Sequence, residues 1–410
     1  MPFDPVDDDL SFDAVAPSEV EMIDLFAGPG GLDVAARWLG IPAVGIEFDA
    51  DACMTRVAAE LGTRKADVRL PGLLDEFPNA TILAGGPPCQ TYSVAGAGAG
   101  RKALTQVLGF VERIANGEDV TEELEKLDDV RTGLVLQPLL WTLAALNLGR
   151  PFETIVLEQV PTVKPVWDAY KRVLLKHGYD AVVDLVHTEQ FGVPQTRRRA
   201  ILIACRNRDA QFPRQTHRPY YKSRTRSEGD TKWLEWNTMG EALARPEWAK
   251  DLDLPDRPLT FEVVSNYGTG GNPKLRGRRK STEPSATITG KVRRNKIVVG
   301  KDELERLYPQ EAGRLQTFPL DYPWSGSDQY QQVGNAIPPR VGAHILAAAV
   351  FSKKPNEAAL SQAVGDSWER TKGGEGRLRS TLEVMPQRAD VVELGHQSEL
   401  FTVNLDEVLA

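Results

Sequence analysis

Between Glu21 and Ala204, short apolar runs alternate with longer amphipathic stretches, and this alternation constrains the fold more than any other feature of the chain. Met22–Phe26, Ala43–Phe48, Thr81–Ala84, Thr154–Glu158, Ala181–His187 and Ala200–Ala204 have the length and composition of strands. Gly31–Leu39, Ala50–Leu61, Leu134–Leu148 and Trp167–His177 carry helical spacing between them. Such alternation predicts an α/β fold: a mostly parallel sheet covered on both faces. Leu104–Lys126 reads as an inserted helical segment of mixed charge.

The first strand runs straight into glycines in "MIDLFAGPGGLD". Gly28, Gly30 and Gly31 permit a tight turn and close backbone approach to a ligand. The turn lies at the carboxyl edge of the sheet, where open α/β folds bind ligands. "VGIEFD" then ends the second strand at Glu47, about 20 residues on, where such folds hydrogen-bond ribose hydroxyls. "KADVR" adds Asp67, within reach of an adenine amino group. These residues predict a nucleoside-containing cofactor. NAD and S-adenosylmethionine both remain open, although the incomplete GxGxxG pattern disfavours a dinucleotide.

The same edge collects reactive groups. Cys53, Cys89 and Cys205 are too few and scattered for a disulfide framework and have no CxxC zinc spacing. Cys89 follows two prolines in "ILAGGPPCQTYS", which stiffen the loop and hold the thiol in one place. Neighbouring cations or helix N-terminal amides would make it a nucleophile. "IVLEQVP" brings Glu158 to the edge, and "FGVPQTRRRAILIA" sets Gln195, Arg197, Arg198 and Arg199 directly before an apolar strand. Three arginines cannot enter a sheet core, so they must face the edge, an anion or a polar substrate.

DLFAGPGG, GGPPCQTYS, LEQVP, QTRRR and QQVGNAIPPR, in this order, resemble the motif series of the cytosine-C5 DNA methyltransferases, over roughly residues 21 to 352. The resemblance implies a Rossmann-like S-adenosylmethionine-dependent methyltransferase fold with a smaller, irregular target-recognition domain. It implies Cys89 as the nucleophile and Glu158 as the acid on the cytosine ring nitrogen and amino group. Arg197 and Arg199 would position substrate oxygen and phosphate. Phe26, Gly28, Gly30, Glu47 and Asp67 would contact S-adenosylmethionine, as would Val333 and Asn335 of a C-terminal motif that folds back beside the first strand. Gln90, Ser93 and Gln195 would approach DNA. One departure stands out: the usual Glu-Asn-Val is Glu158-Gln159-Val160 here, which is expected to shift the hydrogen bonds that position the cysteine loop. "AGAGAGRK" is expected to close over DNA on hinges at Gly96, Gly98 and Gly100.

Charge supports a nucleic-acid partner only locally. The chain carries −8 overall, yet residues 206–296 hold 20 Lys and Arg against 11 Asp and Glu. That segment has the charge of a phosphate-contacting surface. Arg276, Arg278 and Arg279 are its densest run and are candidates for DNA contact. The expected organisation is a polar tail over 1–20, a catalytic domain over 21–205, target recognition over 206–296, a return to the catalytic domain over 297–352, and a polar appendage over 353–410. The acidic N-terminus lacks signal-peptide features and no apolar run could span a bilayer, so a cytoplasmic, nucleoid-associated enzyme is expected. The expected partner is double-stranded DNA, met by a monomer, with a cognate restriction endonuclease or an orphan or phage-borne role as the setting. Three rivals belong to other classes. A tRNA methyltransferase of the same branch would carry a Cys-Phe-Thr signature, which is absent. Intact Cys89 and Glu158 argue against an inert DNA-binding module. The incomplete glycine pattern argues against an oxidoreductase.

Overall fold

The computed structural model describes residues 10–88, 99–127, 131–265, 277–372 and 376–385. Its centre is a seven-stranded sheet built from β1 (Met22–Leu25), β2 (Ala43–Glu47), β3 (Gly62–Lys65), β4 (Ile82–Gly85), β5 (Thr154–Gln159), β6 (Asp180–His187) and β7 (Arg198–Cys205). The strand order is β3-β2-β1-β4-β5-β7-β6. The first five strands run parallel, while β7 runs antiparallel to both β5 and β6. The carboxyl ends of β1 to β5 and the amino end of β7 therefore share one edge.

Side chains alternate across a strand, so each strand feeds two cores. Met22, Ile82 and Val156 belong to one, with α1 (Gly31–Leu39) and the helix Pro339–Phe351. Ile23, Leu83 and Ile155 belong to the other, beneath the helices Ala99–Ala115, Gln137–Asn147 and Lys164–Lys176. In the last of these, Val166, Trp167, Tyr170, Val173 and Leu174 recur at helical spacing and are buried. Truncating the fully buried Trp167 to Ala would cost about 3–5 kcal/mol. The inserted segment forms Ala99–Ala115 and Thr121–Glu125, and buries Val107, Val111 and Ile114 in this second core.

Helix α1 ends at Gly40, whose φ of 66° lets its N–H reach the carbonyls of Ala36 and Arg37. At its start, a Cβ on Gly31 would stand 2.1 Å from the Ile337 carbonyl oxygen. Only glycine lets the backbone of the "GNAIPP" segment lie against the first turn of α1.

The chain between 206 and 261 is mostly turns and irregular backbone, relieved by Met239–Leu243, whose Thr238 and Glu241 form a capping box. A small antiparallel sheet follows: β8 (Glu262–Val264), β9 (Arg278–Lys280), β10 (Lys296–Val299) and β11 (Asp302–Leu304), in the order β11-β10-β8-β9. This corrects the expected boundary at 297. Strand β10 pairs with β8 and β11 rather than rejoining the large sheet, because Ile297 is buried opposite Val263.

Residues 353–372 and 376–385 are polar in composition but docked. β12 (Lys353–Lys354) pairs with β13 (Glu383–Val384), and Leu360, Ala363, Trp368 and Leu378 are buried. The Gly376 and Leu378 amides donate to the Arg37 and Trp38 carbonyls at 3.1 and 2.9 Å. Among the described residues, no helix is long and apolar enough to cross a membrane.

Candidate active site

The glycine loop after β1 is held from two sides and open on a third. Phe26 and Gly28 both adopt left-handed backbone, with φ of 59° and 54°. No atom lies within 4 Å of a Cβ built on Gly28, so the space before it is open. From the side, Glu47 Oε2 accepts from the Gly28 amide at 2.7 Å, while Oε1 accepts from the Phe48 and Asp49 amides at 2.8 Å each. Burial pushes the Glu47 carboxyl up, partly offset by those three amides. A carboxylate offers about four acceptor positions, so Glu47 keeps one for a ligand hydroxyl. From below, the Tyr322 hydroxyl donates to the Pro29 carbonyl at 2.5 Å.

A buried ion pair lies under this loop. Arg56 meets both Asp33 oxygens at 2.8 Å and also donates to the Gly62 carbonyl at 2.7 Å. Breaking such a pair costs about 3–5 kcal/mol, because a buried charge is left alone. Asp24 on β1 is also buried; burial first and the neighbouring Asp33 second push its pKa well above the usual carboxylate range. Asp67 sits half-buried beyond β3. Burial would raise its carboxyl, but Arg69, through its backbone amide at 2.9 Å and its guanidinium, holds it below the usual value.

Glu158 and Gln159 end β5 on the same edge. The Gln159 side-chain amide donates to the Pro87 carbonyl, and its oxygen accepts from the Val160 amide. Gln159 thus grips the loop that leads toward Cys89 despite its extra methylene. A Cβ on Gly86 would stand 3.6 Å from Glu158 Oε2, so the carboxylate lies directly against this loop. Arg199 Nε stands 2.6 Å from Glu158 Oε1, an ion pair with both side chains largely buried. Cys89, Gln90, Ser93 and Arg276 lie outside the described residues, as do the expected hinges at Gly96 and Gly98.

Arg197 and Gln195 are buried, not displayed. Arg197 is 2% exposed, and its Nη1 donates to the Ile288 and Gly334 carbonyls at 3.1 Å each. The Gln195 amide donates to Gln316 Oε1 and accepts from the Ile288 amide, both at 2.7 Å. Gln195 was expected at the DNA surface. It is instead a strut between β7 and the second domain, because both ends of its amide are satisfied inside the protein. Val333 is fully buried, and Gln316 Nε2 donates to its carbonyl at 2.8 Å. Asn335 is exposed, its Oδ1 accepting from Gln331 Nε2 at 2.8 Å.

In the small sheet, Arg278 is exposed and paired with Glu262, while Arg279 is half-buried on the opposite side of β9. Glu189, just before the QTRRR run, is 6% exposed with Oε2 lacking a hydrogen-bond partner. Burial pushes it up to about 7, against the pull of Arg198 and Arg279.

Sequence reasoning missed two contributors. Phe48 is 68% exposed beside Glu47, an apolar platform at the ligand edge. An aromatic directly after the strand-ending acid was its only signal. Tyr322 braces the glycine loop from 293 residues away and had no signal at all.

Comparison with known proteins covers most of the chain. The model of the C-5 cytosine-specific DNA methylase family matches residues 20–115 and 156–350. The type II methyltransferase M.PspPI of Psychrobacter sp. (strain TA137) is 27% identical over 355 residues, 79% of this chain and 78% of that protein. M.Eco47II of Escherichia coli, also a type II methyltransferase, is 27% identical over 347 residues, 77% and 75% of the two chains. Among solved structures, S. pombe Dnmt2 methyltransferase superposes with a TM-score of 0.55 at 16% identity, covering 81% of this chain and 99% of that one. At that identity the likeness speaks to the Rossmann-like fold.

Proposed function

The chain belongs to the C-5 cytosine-specific DNA methylase family, and from that premise we propose how its own residues methylate cytosine in duplex DNA. One observation carries the reading: Glu158 and Gln159, at the end of β5, pack against the loop that leads to Cys89, beside an open glycine cradle on the same sheet edge. The cradle fits S-adenosylmethionine. The open space at Gly28 admits its backbone-proximal part, the spare Glu47 acceptor suits a ribose hydroxyl, and Phe48 offers a face to adenine. Asp67 would accept from the adenine amino group by sharing its exposed contact with Arg69, a pair of small worth. When bound, S-adenosylmethionine supplies an electrophilic methyl group.

Carbon 5 of cytosine is a weak nucleophile, and Cys89 corrects this by adding its thiolate to carbon 6. With the Arg199 contact released, the Glu158 carboxyl would meet the ring nitrogen as charge builds there, and Arg199 would stand at the ring oxygen. A well-placed donor of this kind contributes about 3–4 kcal/mol to the transition state. The observed Arg199–Glu158 contact occupies that space, so an incoming cytosine must share or displace it. Carbon 5, made enamine-like by that addition, would take the methyl group, and loss of its proton to water then restores the ring double bond and expels the Cys89 thiolate. A stacked base cannot reach this edge, so the target is flipped out of the duplex. Arg197 acts as a positioning residue, tying the QTRRR strand to the second domain and to Gly334.

The enzyme works as a monomer on intracellular DNA. Relatives named as type II methyltransferases support a restriction-modification setting, for which a cognate endonuclease is the partner this reading adds. Labelled S-adenosylmethionine, offered with duplex DNA, single-stranded DNA and tRNA, tests this reading. Duplex DNA should acquire 5-methylcytosine; label found only in tRNA would replace the proposed substrate.

A further inference from the structure

We propose that Arg279 reads one guanine of the recognition sequence; this deepens the reading of the chain as a DNA cytosine methyltransferase and rests on it. Adjacent on β9, Arg278 and Arg279 differ in what they touch. Arg278 is exposed, with Nε and Nη2 at 2.9 and 2.5 Å from Glu262 Oε2, so its fork is engaged within the protein. The Arg279 guanidinium instead lies over the Tyr220 ring, 4.6 Å from its centroid. Tyr220 is itself pinned: its hydroxyl donates to Glu283, and its ring meets Trp236 edge-on at 5.4 Å. The contact therefore holds the guanidinium over a pinned ring before any ligand arrives.

Its hydrogen bonding is left incomplete. The guanidinium meets the Tyr220 hydroxyl and, through Nη2, Thr196 Oγ1 at a long 3.5 Å, while Nη1 is buried with no acceptor. A buried guanidinium N–H without a partner costs free energy, which an arriving acceptor would recover. Arg279 also lines a cavity of about 320 Å³ together with Lys222, Val263, Ser285 and Asn295. Volumes near 300 Å³ are the lower end of ligand-binding pockets. Thr196, the residue it touches, stands between Gln195 and Arg197, so the cavity wall abuts the catalytic strand.

The chemistry of the missing acceptor follows from the donor. A planar fork matches paired acceptors, and in the major groove guanine alone offers two, O6 and N7, on one base. Adenine sets a donor beside its N7 and would repel one arm. A phosphate could also accept two bonds. Phosphates, however, are met at the surface, where Lys280, Lys291 and Arg294 are exposed, rather than by a stacked and recessed side chain.

The test begins with bisulfite sequencing of DNA from cells expressing the full chain, which gives the methylated site. Methyl transfer is then measured on duplexes carrying 7-deazaguanine at each guanine in turn, with wild type, Arg279→Gln, Arg279→Lys and Arg278→Ala. Wild type and Arg278→Ala should lose about 5- to 150-fold in kcat/KM at one particular guanine. Both Arg279 variants should be indifferent to the missing nitrogen there while still discriminating at the other positions. Arg279→Lys keeps the charge, so it separates loss of the fork from loss of charge if Arg279→Gln folds poorly. Three results overturn the proposal: wild type indifferent to N7 at every guanine, Arg279 variants as sensitive as wild type, or equal losses on all sequences, which would mark a phosphate contact. Wild type that methylates no duplex at all defeats the parent reading instead.

Discussion

The two halves of the sheet edge hold their functional groups by different means. On the cofactor side, backbone does the holding: three amides fix the Glu47 carboxylate and a tyrosine hydroxyl braces Pro29. On the base side, side chains hold side chains: Arg199 on Glu158, and Arg279 on Tyr220 and Thr196. Amides of a folded strand end cannot swing, whereas guanidinium groups on long stems can. On the proposed reading, the cofactor cradle is preformed, while the base side is built to exchange internal contacts for substrate contacts.

If the halves are separable, a lesion on the base side should leave the cradle intact. Glu158→Gln is expected to lower kcat by about 10²–10³, with the S-adenosylmethionine dissociation constant unchanged. Titration calorimetry beside single-turnover kinetics measures both. A weakened cofactor would show that the halves are coupled.

The converse lesion is smaller. Glu47→Ala should weaken S-adenosylmethionine by roughly 1.5–3 kcal/mol, the worth of a hydrogen bond to a charged group. Loss of the three amide contacts adds local loosening to that effect. An unchanged dissociation constant by calorimetry would mean that Glu47 only shapes its own turn.

Glu189 sharpens the comparison through pH. Its folded pKa of about 7 lies above the ordinary value for glutamate, so the folded state binds its proton more tightly than the unfolded state does. Stability from this group is full below about pH 4.5 and is lost as pH rises through about 7. Denaturant unfolding at pH 5 and pH 8 should differ by on the order of 1–3 kcal/mol more in wild type than in Glu189→Gln. A DNA phosphate nearby would raise that pKa further, so bound DNA should extend the window upward. Equal pH profiles for the two proteins would remove Glu189 from the account.

Gln159→Asn should have the smallest effect. Gln159 already reaches Pro87, so the shorter amide should change kcat by no more than a few-fold, within about 1 kcal/mol. A large gain or loss in steady-state turnover would show that the extra methylene sets the position of the cysteine loop.

What was legible in the sequence was what local pattern dictates. Helix Gly31–Leu39 has the bounds that its periodicity and flanking Gly predict. Glu47, Glu158 and the glycine loop were legible because a parallel sheet sends strand ends to one edge. Tertiary partners were not. Gln195 and Arg197 read as surface residues because nothing local says that residues 285–288 will cover them. The Arg56–Asp33 pair and Tyr322 join distant segments and leave no periodic trace. Residues 353–410 read as a polar appendage because Trp368 and Leu378 are sparse among polar neighbours, yet each of these two finds α1 or its surroundings. Strand β10 misled for the same reason: an apolar run announces a strand but not the sheet it joins.

The central claim is that this edge performs covalent cytosine methylation through Cys89, and a trapping experiment tests it most directly. Duplex DNA carrying 5-fluorocytosine at the mapped target is incubated with the full chain and S-adenosylmethionine, then denatured. The fluorine blocks the final elimination, so a protein–DNA adduct that survives denaturation should accumulate with wild type and be absent with Cys89→Ala. No adduct with wild type, or Cys89→Ala retaining more than a few per cent of wild-type methyl transfer, would contradict the account.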